Sequence, residues 1–429
     1  MVMTDHHVHT DLNPAIADAG LGAFLTATIG EEITSFDYGH FNAYPMLLDA
    51  SSVTRTYDPT GLIQLSGGST DWAKSAPTGM DFPVYGALNA TPSEIYTLAT
   101  AGSLSTAATT IQINHISSHF EPLKIDTALV PPADAMSDVE RAGRRLPDTA
   151  TVSNLYHHFP ALELWNGDNR GAQSQFLDER IGIWFNLLNQ GLSTTFIADT
   201  DSHRFTNLNS AGARTWTASP TDSPASISSA DVAAAVDAGR AVGGQGIYVQ
   251  TKLLATDGSG NVADLTHGGS TSMTDANGDV DLEITVVSPN WAEWDTIEIY
   301  ANAATTAVDP LEPYLYGATP TVVRDEGDCD PTTTGDGDFD ITVTSSVGGV
   351  TGADRYSVTY TESFTGLVAD TWFVVVVKGT DGECGPMFPI YPDNLATGSN
   401  VSLADLVDGN VGESGTMALG ATNALYFEP

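Results

Sequence analysis

A chain of 429 residues is too long for one ordinary domain and points to two or three. With 41% hydrophobic residues it carries enough apolar material for real cores, so a wholly disordered chain is excluded. Fifteen Lys and Arg against 54 Asp and Glu leave a formal net charge of −39, which argues against binding nucleic acid or an anionic membrane surface.

No apolar run is long enough to form a membrane-spanning helix, so no membrane insertion is expected. Met1 leads straight into Val2-Met3-Thr4-Asp5, with no signal-peptide pattern. Only Lys74, Lys124, Lys252 and Lys378 are lysines, and the acidic remainder reads as the solvated surface of an exported or salt-adapted protein.

In chain order, short apolar strands each run into a residue of metal-ligand type. Val2–Thr4 leads into Asp5-His6, and Leu25–Ile29 into Gly30-Glu31-Glu32. Thr110–Ile113 leads into Asn114-His115, Leu162–Trp165 into Asn166, and Thr195–Ala198 into Asp199-Thr200-Asp201-Ser202-His203. Helical patterns lie between them. One covers Asp178–Gln190, with Ile181, Trp184 and Leu188 on one face and Gly191 as the stop. Another covers Asp231–Ala238, with Ser228 or Ser229 as cap and Gly239 at the end. Alternating strands and helices predict a mostly parallel sheet or barrel. In a β/α barrel the C-terminal strand ends gather at one mouth, so these imidazoles and carboxylates would converge. That donor mix suits Zn²⁺, Mn²⁺ or Fe²⁺.

The character of the chain changes near residue 246. Nine of the ten histidines precede it. Residues 1–246 carry 26 acidic and 11 basic residues, whereas 247–429 carry 28 and 4. Beyond the change the pattern is that of strands. Val280, Leu282, Ile284 and Val286 alternate with polar residues, as do Ile297 and Ile299, and then Phe339, Ile341 and Val343. Phe373–Val377 is a continuous apolar run, as expected of a strand buried on both faces. Asp257-Gly258, Asn277-Gly278 and Gly335-Asp336-Gly337 read as turns. These features predict an α/β domain over 1–246 and an antiparallel β-sandwich over 247–429 as an accessory module. Asp275–Asp281 lacks the Gly and Glu positions of an EF-hand loop and reads as a turn with exposed acids. Cys329 and Cys384 are the only cysteines, an even pair expected to form a disulfide in an oxidising, extracytoplasmic compartment.

Thr4-Asp5-His6, Gly30-Glu31-Glu32-Ile33-Thr34, Gly39-His40-Phe41-Asn42-Ala43, Ile113-Asn114-His115, Leu162–Asn166 and Asp201-Ser202-His203 together resemble the polymerase and histidinol phosphatase (PHP) superfamily. They are most similar to its carbamate-hydrolase-like branch, the CehA/McbA type. The resemblance covers 1–246. It implies a distorted (β/α)7 barrel, two or three divalent metal ions, and metal-activated hydrolysis of a small-molecule substrate, usually a phosphate ester. The residues it marks as ligands are His6, Glu32, His40, His115, Asp201 and His203. Glu32, Asp201 and His203 are then closest to the chemistry: Glu32 would bridge the ions, and His203 or His40 would either donate a proton to the leaving group or be fully occupied as ligands. Glu32 is preferred to Glu31 by the Gly-x-Glu pattern.

Asp5 would orient His6 from behind. Glu163 and Asn166 either hold a ligand or only bond at a strand end, and Arg170 and Arg204 either clamp a phosphate or form surface ion pairs. His119, His157 and His158 match no motif. The family's opening His-x-His strand normally precedes Thr-Asp-His. Here it is expected to be missing, with His7-Val8-His9 incidental, although that triplet is the alternative source of the motif. The rival reading is a non-catalytic binding or structural protein with a degenerate barrel.

Overall fold

The computed structural model describes residues 1–6, 8–35, 38–48, 54–57, 63–66, 90–144, 146, 159–167, 170–202, 212–266, 269–327, 329, 335, 337–344, 354–380, 384–385, 387 and 416–429. The architecture is rich in sheet, with few helices among the described residues.

The first sheet runs Thr195–Asp199, Ala161–Asn166, Ser105–Asn114, His40–Met46, Glu31–Thr34. It continues through a parallel pairing of Val2–Met3 with Thr28–Ile29, which the His6–Glu32 bridge extends. The strands beginning at 105, 161 and 195 are parallel, as the alternating pattern predicts. His40–Met46 is antiparallel to both of its neighbours, so the sheet is mixed rather than mostly parallel. A short return explains this. Ser35 N–H donates to Gly39 O at 3.2 Å, and Gly39 at φ 83 supplies the left-handed residue. A connection this short can join only antiparallel strands. Among the described residues no ladder closes the sheet from Thr195–Asp199 back to Val2–Met3.

The predicted helix over Asp178–Gln190 differs in form. A π-helical stretch, Gln175–Arg180, leads into an α-helix, Ile181–Leu188. The α-helix is buried all round rather than on one face. The second predicted helix is Ser229–Asp237, where the Ser228 side chain accepts from Asp231 N–H, and Gly239 at φ 68 follows its end.

Two further sheets face each other across a second core. One is built on Tyr248–Ala255, Val280–Pro289 and Arg355–Phe364, all antiparallel. The other is built on Arg214–Thr217, Ala241–Gln245, Leu419–Thr422, Thr371–Lys378 and Thr296–Ala301. Val280, Leu282, Ile284 and Val286 point into this core and the residues between them point out, as the alternation requires. Thr371–Lys378 is buried on both faces. Phe373, Val375 and Val377 enter the sandwich core, whereas Trp372, Val374 and Val376 enter the core of the first sheet. There Phe185 of the buried helix meets the rings of Trp372 at 4.6 Å and Tyr300 at 5.0 Å. Hydrogen bonding crosses the compositional change at 246, because Ala241–Gln245 pairs with Leu419–Thr422.

Cys329 and Cys384 form a disulfide with a Cα–Cα distance of 5.2 Å. Asp275 is buried and accepts from Thr256, Asp257 and Asn277 N–H, so its oxygens serve a turn, in line with the failed calcium pattern. Gly258 and Gly278 adopt the left-handed conformation that the predicted turns need. No helix among the described residues is long and apolar enough to cross a membrane.

Candidate metal centre

Parallel strands bring their C-terminal ends to one edge of a sheet, and an antiparallel strand brings its N-terminal end to that edge. His6, Glu32, Asn114-His115, Asn166 and Asp199 end or follow parallel strands, and His40 begins the antiparallel one. The register sets them side by side: His6 bridges to Glu32, Thr34 lies opposite His40, and His40 lies opposite Asn114. Antiparallel His40–Met46 is therefore what carries an imidazole into the row.

Glu32 is the floor of the cluster, with a side chain only 6% exposed. The imidazoles of His6, His40 and His115 form its wall, at 39, 30 and 20%. His40 Nδ1 lies 2.8 Å from Glu32 Oε1, His6 Nε2 lies 3.6 Å from Oε2, and His115 Nε2 lies 3.7 Å from Oε1. His115 Nε2 is also 3.7 Å from Asp201 Oδ2. One donor atom each of His6, Glu32 and His40 fall within 4.8 Å of one another.

Two polar groups fix the rings from behind. Thr34 Oγ1 lies 2.6 Å from His6 Nδ1, and Glu163 Oε2 lies 2.6 Å from His115 Nδ1. The same Glu163 oxygen accepts from His115 backbone N–H at 2.5 Å and from Asn166 Nδ2 at 3.0 Å. His115 and Asp201 both hold left-handed backbones, φ 44 and 45, which is costly for residues other than glycine. Such strain persists where neighbours over-determine it, and here Glu163 grips both the N–H and the ring of His115.

The charges are tightly coupled. Burial opposes ionisation of Glu32, yet the close imidazoles of His115 and His40 outweigh it and hold the carboxyl well below the usual range. Burial would depress His115, but the contacts with Glu163 and Glu32 raise it to about 11 in the metal-free protein. Behind it, burial and the neighbouring Glu163 charge push Asp199 well above the carboxylate range, so Asp199 is the acid beside an ionised Glu163. Gln112 Nε2 caps this buried pair, donating to Asn114 Oδ1 at 2.9 Å and approaching Asp199 Oδ2 at 3.5 Å.

No protein-family model matches the chain, and no curated protein or solved structure matches it either.

Five of the six expected ligands that the sequence singles out, His6, Glu32, His40, His115 and Asp201, stand together in this cluster. The sixth, His203, lies outside the described residues, as do His7, Arg204, His157 and His158. Glu31 points to the opposite face of its strand, where its Oε2 meets fully buried His9 Nε2 at 2.9 Å. His9 Nδ1 donates to Leu47 O at 2.7 Å, so His9 is part of the interior and not of the cluster. Asp5 is exposed, and it is Thr34, not Asp5, that holds His6 Nδ1; the backbone carbonyl of Asp5 instead accepts from Glu32 N–H. Glu163 contacts the His115 ring directly, and Asn166 donates to the same Glu163 oxygen. Arg170 opens the helix Arg170–Ser174 just after that strand. The sequence assigns no site role to Thr34, which stands there only within a motif, or to Asp199, which stands only at the head of a ligand-type run. Thr34 is two residues from Glu32 on one strand, so period-2 alternation already places both on one face.

Proposed function

We propose that this chain is a metal-dependent hydrolase acting on a phosphate ester, with a site of the PHP type at the mouth of its first sheet. The observation that supports this is the convergence of His6, Glu32, His40, His115 and Asp201 on one another at a single sheet edge. The donor set is imidazole nitrogen and carboxylate oxygen without thiolate, which suits Zn²⁺, Mn²⁺ or Fe²⁺. Glu32 Oε1 faces His40 and His115 and its Oε2 faces His6, so the two carboxylate oxygens offer positions for more than one ion. When bound, such ions lower the pKa of a coordinated water and neutralise phosphoryl charge.

The chain's own residues do the positioning. Thr34 and Glu163 occupy the Nδ1 sides of His6 and His115 and leave the Nε2 atoms turned toward Glu32. Asn166 donates to Glu163 and keeps its carboxylate in place. A protein of net charge −39 repels anions in general, and a phosphate ester is admitted where local cations set the field. The disulfide supports an extracytoplasmic location as part of the same reading.

Elemental analysis of dialysed protein tests the proposal, together with hydrolysis of bis-p-nitrophenyl phosphate before and after chelation. Metal is expected to remain bound, and hydrolysis to disappear with the chelator. Glu163→Gln is expected to weaken metal binding about 10–100-fold, as loss of a ligand-orienting partner does. His9→Ala is expected to lower stability and leave metal content unchanged. A chain that retains no metal, or equal metal affinity in the wild type and Glu163→Gln, overturns the reading.

A further inference from the structure

A second site lies on the sandwich, and none of its lining residues belongs to the histidine cluster. It is a surface pocket of ≈ 590 Å³, set between the edge strand Arg214–Thr217 of one sheet and the start of Tyr248–Ala255 in the other. Its floor is apolar, made by Val242, Val249 and Leu265. Its most prominent feature is an aromatic corner. Trp216 and Tyr248 meet edge to face, with ring centroids 5.5 Å apart and an interplanar angle of 77°.

Both rings are held by regular backbone. Trp216 lies opposite Val242 in its ladder and packs over Gly244, where an added Cβ would stand 2.7 Å from the indole. Tyr248 lies opposite Val287. Rigid aromatics on strands form a platform that loses little entropy when a ligand arrives.

The polar groups of the pocket are available. The indole N–H of Trp216, the hydroxyl of Tyr248 and the side-chain amide of Gln250 make no hydrogen bond among the described residues. All three nonetheless line one cavity. Tyr248 is exposed and Trp216 and Gln250 are partly exposed, so these three polar groups around one aromatic corner are accessible to an arriving ligand. Among the described residues the lining carries one carboxylate, Asp222, and no Lys, Arg or His. That charge pattern rejects phosphates and carboxylates. Arg214 lies with its guanidinium carbon 5.9 Å from the centroid of the Trp216 ring and is not among the described lining residues.

We infer that this pocket binds a neutral saccharide. A pyranose has apolar C–H faces that fit an aromatic corner and hydroxyls that pair with an amide, a phenol, an indole N–H and a carboxylate. The volume is within the range of small-ligand sites and holds one or two sugar rings. The inference does not rest on the hydrolase reading.

The test is calorimetric titration of the full chain with cellotetraose, maltotetraose, xylotetraose and chitotetraose, and with choline and adenosine as the competing chemistries. At least one neutral oligosaccharide is expected to bind. Trp216→Ala and Tyr248→Ala should each weaken it about tenfold, the scale of one aromatic contact. Trp216→Ala could unsettle the sheet, so Gln250→Ala, at a partly exposed position, is measured beside it and should weaken binding about threefold with an unchanged melting temperature. Binding of choline or adenosine in place of the sugars overturns the inference. So does failure of all four oligosaccharides at 10 mM, roughly the upper limit for a functional weak sugar site, or sugar binding unchanged in Tyr248→Ala and Gln250→Ala.

Discussion

Histidines of this chain sit in opposite electrostatic settings, and one of them makes stability depend on pH. His119 is fully buried, edge-on to Phe41 at 5.5 Å and Phe120 at 5.4 Å, and its Nδ1–H donates to Tyr38 O at 2.7 Å. Burial pushes its imidazole down to about 4, because no charge partner offsets the loss of water. The folded state therefore keeps His119 neutral where the unfolded chain protonates it. Below about pH 6.5 the unfolded state binds the extra proton, and stability falls with pH until it levels near pH 4. The full effect is about 3 kcal/mol, the pKa gap multiplied by the energy per pKa unit. Urea unfolding of wild type and His119→Leu at pH 7, 5.5 and 4, with chelator present throughout, measures it. The variant should start lower at pH 7, since Tyr38 O loses its donor, and then lose about 3 kcal/mol less than wild type on acidification. Parallel curves would mean that His119 charges inside the fold.

At the scale of single elements, the strand Thr371–Lys378 makes the sharpest claim. Its Val374 and Val375 point into two different cores, so each side of the strand is interior. Val374→Thr and Val375→Thr should each cost about 1–3 kcal/mol, because both place a hydroxyl of equal size where no water reaches. In Val280–Pro289 only one face is interior, so Val286→Thr should cost as much while Val287→Thr costs little. Denaturant midpoints of the four variants decide it, and near-neutrality of Val374→Thr would mean that the two cores are not packed together. The apolar run of this strand was legible in the sequence, because a strand with one wet face cannot be apolar at five successive positions. The helix Ile181–Leu188 was legible in place and stop but not in burial. Its outer face is covered by Trp372 and Tyr300, more than a hundred residues away, and no local period reports that. The site follows the same division. Strand ends announced His6, Glu32, His115 and Asp201, since an apolar run followed by a ligand-type residue is a local signal. The grip of Glu163 on His115 and of Thr34 on His6 depends on strand register, which a single sequence does not print.

Across the whole molecule, composition divides the chain at residue 246, yet the contacts that hold it together cross that point. Ala241–Gln245 forms a ladder with Leu419–Thr422. Next to it, the Asn423 side chain accepts from Phe196 N–H at 2.6 Å and donates to Phe196 O and Ala241 O, both at 3.0 Å. Gln173 exchanges bonds with the backbone of Met417, and Trp372 Nε1 donates to Asn189 Oδ1 at 3.0 Å. A fragment ending at 246 would leave these backbone groups and the apolar side of the buried helix without partners. We therefore expect the full chain to unfold in one calorimetric transition, with the metal centre and the sandwich lost together. The fragment 1–246 should be insoluble or lack a cooperative transition. Asn423→Ala, which removes three bonds to buried backbone at one point of the junction, should cost on the order of 3 kcal/mol and lower that single transition without splitting it. If the fragment 1–246 instead melts cooperatively and binds metal as the full chain does, the junction contributes nothing to folding of the first sheet, and the centre is built by the first 246 residues alone.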